Sequence, residues 1–150
     1  MLKTLLVLIA TSLFATVRSS ALPSRMALVG RQIIPSANVV KCDFVLQPTA
    51  IIDPNATDEL SHEFDVVIAN ALRAQPGIDT GFVTPITIIY IANLDAKNTF
   101  NVEETLGAEK LTSAQTTAII EGWLGTTIPG QFSNWIVNTA ACVPSNILEA

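Results

Sequence analysis

Cys42 and Cys142 are the only thiols in this 150-residue chain, and they bracket most of its length. Behind an export signal such a pair reads as one disulfide, because the secretory pathway is oxidising. His62 is the only imidazole. His62-Glu63 opens the pattern of a zinc-peptidase helix, but that chemistry needs a second His one turn later, and position 66 is Val. One His and two Cys also leave a Cys/His metal site short of ligands. A Ser-His-Asp relay would have to use His62 as its base, and no Gly-x-Ser-x-Gly elbow presents a nucleophile.

Glu103 and Glu104 are the remaining acid pair. Adjacent residues on a strand point to opposite faces, so these two do not flank one bond as glycosidase carboxylates must. Asp58, Glu59 and Glu63 read as a charged, solvated helix face. Gly77, Gly81, Gly122 and Gly125 sit at turns or a helix end, not in a phosphate-binding loop. No catalytic residue, metal or cofactor is assigned. Asn55-Ala56-Thr57 is a sequon for N-glycosylation in turn-forming sequence, which marks Asn55 as a modification site.

These residues need a compartment and a scaffold. Lys3, an apolar run of about eleven residues from Leu5 to Ala15, and Ser19-Ser20-Ala21 form a signal peptide over residues 1–21. The run is too short to span a bilayer, which takes roughly twenty apolar residues. Residues 22–38 hold Pro23, Gly30 and Pro35 without a sustained period and read as a flexible leader or propeptide. Residues 39–142 are read as one domain and 143–150 as a C-terminal tail. The protein is therefore expected outside the cell. The mature chain has six basic residues against thirteen acidic ones, a formal charge of −7. Scattered basic residues on an acidic chain argue against nucleic acid, and no basic amphipathic helix points to a membrane.

Along the domain, Val39 to Leu46 is β-branched and aromatic and reads as a strand. Asp53-Pro54-Asn55 is turn chemistry, with Asn55 and Thr57 as helix-cap candidates. Leu60, Phe64, Val67, Ile68, Ala71 and Leu72 then recur at helical spacing up to Ala74. Phe82 to Ala92 is the most apolar strand, and its two apolar faces suggest a central, doubly covered position. A turn at Asn93 to Asn98 leads to a strand over Thr99 to Leu106. Thr112 and Gln115 form a capping box for a helix that ends near Gly125. Phe132 to Cys142 closes the domain.

The order β-α-β-β-α-β predicts a ferredoxin-like α+β sandwich, with two helices on one face of an antiparallel sheet. In that topology the first and last strands are antiparallel neighbours, which brings Cys42 to Cys142. The other sheet face is left open, and Ile88, Tyr90 and Trp135 are the candidates for an apolar binding surface there.

With no catalytic set in the sequence, the expected function is that of a small secreted, non-enzymatic protein that binds a protein partner, or a second copy of itself through the open face. Its composition resembles small secreted effectors and toxins. The strand-helix order is also similar to that of propeptide-type serine peptidase inhibitors, which would use the tail, Val143 to Ala150, to enter a protease cleft.

Overall fold

β1 (Val39–Pro48) alternates buried and half-exposed side chains along its length, as a strand with one covered face must. Val40, Cys42, Phe44 and Leu46 face the core, while Lys41, Asp43, Val45 and Gln47 face the other way. In this computed structural model the described residues are 34–145, without 94 and 96 and without the side chains of 57 and 58. The expected signal peptide, the expected leader up to residue 33 and the expected tail from 146 lie outside them.

α1 (Thr57–Arg73) follows β1 and presents Leu60, Phe64, Val67, Ile68 and Leu72 to the sheet, all essentially inaccessible. Its N-cap is Ala56, with no side-chain cap, not Asn55 or Thr57. Asn55 is engaged elsewhere, because Asp53 Oδ1 accepts from its backbone N–H at 2.9 Å. At the other end, Arg73 donates to the Val83 carbonyl at 3.0 Å and ties the helix to β2.

β2 (Val83–Ala92) and β3 (Phe100–Ala108) form an antiparallel hairpin. Asp95 shapes its turn, accepting from the Thr99 amide at 3.0 Å and the Thr99 hydroxyl at 2.8 Å. α2 (Ser113–Glu121) opens on the capping box of Thr112 and Gln115, with both reciprocal bonds formed. It closes earlier than the sequence suggests, with Gly122 as C-cap, and a turn ending at Gly125 (φ 75°) carries the chain on. A two-residue strand, β4 (Thr127–Ile128), and the long β5 (Trp135–Ser145) complete the domain.

The five strands form one antiparallel sheet in the order β2-β3-β1-β5-β4. Among the described residues the fold is thus α+β with two α-helices and one disulfide. β4 extends the sheet beyond the four strands expected. β2 is an edge strand, not a central one. Its second apolar face is not covered by another layer among the described residues, and Ile89 and Ile91 remain about half exposed there.

Phe64 organises the core. Its ring centroid lies 5.0 Å from Trp135, 5.4 Å from Tyr90 and 5.9 Å from Phe100. The first two contacts are edge-to-face and the third is tilted, and such contacts add to the large apolar area each ring buries. Truncating a buried aromatic of this kind costs on the order of 3–5 kcal/mol.

Cys42 and Cys142 are register partners across β1 and β5, and their sulfurs are bonded at 2.02 Å.

Candidate binding face

Strand pairing sets three rows across the side of the sheet away from the helices. Ile86, Thr105, Lys41 and Val143 form one, Ile89, Glu103, Asp43 and Ala141 the next, and Ile91, Asn101, Val45 and Thr139 the third. Each row begins with an isoleucine of β2 and passes through a polar centre. Lys41 Nζ meets Glu103 Oε1 at 2.9 Å, diagonally between the first two rows, while Asp43 stays exposed.

A groove of about 280 Å³ runs over the second and third rows, walled by Ile89, Ile91, Val45, Asp43, Glu103 and Thr139. Ile89 and Ile91 are 51% and 56% exposed. No helix of the described residues covers this face. Among the described residues Ile34 occupies its far end, packing over Gly107, where an added Cβ would come 2.7 Å from Ile34 Cγ2.

Of the candidates drawn from the sequence, Trp135 is fully buried and Tyr90 is half-buried against Phe64. Both belong to the helix-covered side, so Ile86, Ile89 and Ile91 take the place of Ile88, Tyr90 and Trp135 on the open face. The register supplies the reason. Thr87 pairs with Glu104 and Ile89 with Glu103, leaving Ile88 as an extra residue in β2. That bulge reverses the alternation after it.

Trp135 is held inside by a carboxylate. Glu63 is completely buried, and it accepts hydrogen bonds from Trp135 Nε1 at 3.0 Å, the Gln131 amide at 3.0 Å and the Phe132 amide at 3.1 Å. The reading of Glu63 as part of a solvated helix face therefore fails. Buried polar atoms need hydrogen-bond partners, and here three donors converge on the Glu63 oxygens.

Glu103 and Glu104 do point to opposite faces, but Glu104 is not at the surface. It occupies the helix-covered row of Thr87, Glu104, Cys42 and Cys142. It is completely buried, and neither of its oxygens has a hydrogen-bond partner. Burial, with the negative charge of Asp65 nearby, pushes its carboxyl well above the usual range. Asp65 is itself engaged, accepting from the Thr87 amide and hydroxyl at 2.7 Å each. Glu104 is inaccessible to a substrate, whereas Glu103 is tied to Lys41.

His62 lies exposed on α1. Among the described residues no three His, Cys, Asp or Glu side chains gather as a metal site. Likewise among them, no helix is long and apolar enough to cross a membrane. At the C-terminus, Val143, Pro144 and Ser145 pair with Lys41, Val40 and Val39 as the end of β5. The first three residues of the expected free tail are thus part of the sheet. No protein-family model, curated protein or solved structure matches the chain.

Proposed function

We propose that this is an exported, non-enzymatic protein that acts by binding another protein, in the manner of an effector or toxin, and that the partner sits on the open sheet face. The observation that carries this reading is the pair Ile89 and Ile91, half exposed beside a groove that also presents Asp43 and Glu103. Apolar anchors next to a few polar groups suit a protein interface better than bare solvent does. The disulfide and the signal-like N-terminus support an oxidising, extracellular setting. We also read the sheet as ferredoxin-like with one short strand added, since setting β4 aside leaves the order β2-β3-β1-β5.

The test compares the mature protein with the double variant Ile89→Asp/Ile91→Asp. Partners captured from extracellular fluid are purified and titrated against both forms, and sedimentation follows self-association. Binding at least tenfold weaker for the variant, with its melting unchanged, supports the face. Equal binding by both forms overturns it.

A further inference from the structure

A second groove lies at the outer edge of β2, on the flank where α1 begins. It measures about 420 Å³ and is lined by Pro54, Ser61, Thr87, Ile88, Ile89, Tyr90 and Ala92. The residue after Pro54 is Asn55, the acceptor position of the Asn55-Ala56-Thr57 sequon. Asn55 is exposed, on a turn held by Asp53, whose Oδ1 accepts from the Asn55 amide at 2.9 Å and from Asn55 Nδ2 at 3.1 Å.

We propose that Asn55 carries an N-linked glycan and that its first N-acetylglucosamine rests in this groove, over the edge of β2. The attachment depends on export, because the donor is a lipid-diphosphate-linked oligosaccharide of the secretory pathway. Asn55 Nδ2 forms a bond to C1 of the donor's reducing-end N-acetylglucosamine, the sugar joined to the diphosphate. The bond from C1 to the diphosphate oxygen breaks, the lipid diphosphate leaves, and the nitrogen gives up one proton. One N–H remains on Nδ2, enough to keep the bond to Asp53 Oδ1.

The groove suits the occupant. A pyranose has an apolar C–H face and a rim of hydroxyls, and this wall combines Pro54, Ile88, Tyr90 and Ala92 with Ser61 and Thr87. A sugar tethered one residue from Pro54 reaches it without ordering a long linker, so little entropy opposes docking. β2 is also the edge strand. Exposed strand edges invite pairing with other chains, and a glycan standing over this one obstructs that pairing.

The full chain, with its N-terminal segment, is secreted from a eukaryotic host. Intact mass and peptide mapping are read before and after treatment with peptide-N-glycosidase, which removes the glycan and leaves an aspartate at position 55, and endoglycosidase H, which leaves a single sugar; the uncharged Asn55→Gln variant separates loss of the sugar from gain of that charge. The expected result is a mass excess at Asn55, slow amide exchange in β2 with the whole glycan or the single sugar, and faster exchange and a lower melting temperature once all sugar is removed. Asn55→Gln should behave like the fully deglycosylated protein. A secreted, signal-cleaved chain of bare polypeptide mass overturns the proposal. A glycan whose removal changes neither β2 exchange nor melting overturns its place in the groove. An unglycosylated chain kept inside the cell with residues 1–21 intact overturns the export reading, and this proposal with it.

Discussion

Glu63 and Trp135, 72 residues apart, meet in the core through a hydrogen bond of 3.0 Å from the indole N–H to Glu63 Oε1. The same carboxylate fixes the amides of Gln131 and Phe132, so one side chain of α1 holds both the approach to β5 and the ring that starts it. Replacing Glu63 by Leu orphans three donors at once. Each buried unsatisfied donor costs about 1–3 kcal/mol, and the expected loss is at least about 3 kcal/mol. Urea unfolding followed by tryptophan fluorescence measures it. A Glu63→Leu protein as stable as the parent would refute this role.

Gly130 allows that carboxylate to come close. A Cβ there would collide with Glu63 Oε1 and sit 2.5 Å from the Ser133 carbonyl oxygen and 2.8 Å from Val67 Cγ2. Gly130→Ala should therefore destabilise by about 1–3 kcal/mol, as overpacking does, although its φ demands no glycine. Thermal unfolding of this single variant decides the matter, and an unchanged melting temperature would contradict it.

Glu104 makes stability depend on pH in the opposite sense from most carboxylates. Its folded pKa is raised above the ordinary 4.5 by burial and by Asp65. Its contribution is therefore fully present below the unfolded pKa and declines as the pH rises from about 4.5 toward the folded pKa. Glu104→Gln removes the titration. Relative to the parent, the variant should gain stability as the pH rises above about 4.5 toward the folded pKa, seen as diverging melting curves. Parallel curves across that range would count against a buried titrating acid.

Asp95 works the other way. The Thr99 amide and hydroxyl lower its pKa below 3.8, so its contribution is present above the unfolded pKa and disappears as the pH falls through the folded one. Asp95→Asn should lose stability near neutrality and show a shallower decline below pH 4. Acid titration monitored by circular dichroism would reveal an unaltered decline if the turn does not depend on this charge.

The disulfide spans 100 residues of sequence. Closing a loop of that length restricts the unfolded chain by about 4.7 kcal/mol in the chain-entropy model. Reduction, or the double variant Cys42→Ser/Cys142→Ser, should lower the denaturant midpoint by a corresponding amount while leaving the native sheet intact. A midpoint that does not move on reduction would show that the cross-link adds nothing.

Much of the scaffold was legible from local chemistry. The Thr112–Gln115 capping box, the helical spacing from Leu60 to Leu72 and the Cys42–Cys142 pairing rest on rules that operate within a few residues or on a unique partner. The open face was not legible. The extra residue at Ile88 changes which side Ile89, Tyr90 and Ile91 occupy, and a bulge leaves little trace in a uniformly apolar run. Glu63 was missed for a related reason. Its three donors come from residues 131, 132 and 135, and nothing near position 63 announces them. Two-sided hydrophobicity in β2 suggested a central strand, whereas it belongs to an edge strand with one face on the core and one on the open surface.

Among the described residues every connection between strands and helices, over residues 49–56, 74–82, 93–99, 109–112, 122–126 and 129–134, falls between Cys42 and Cys142. The chain between the two sulfurs is therefore a covalent ring closed at the middle of the sheet. A protease that cuts one of these connections opens the ring but releases nothing, because both products stay joined through β1 and β5. Losing a fragment from between the two sulfurs takes two cuts, and separating the products of a single cut takes a reductant, so survival under proteolysis depends on the redox state of the surroundings as well as on the exposure of the loops.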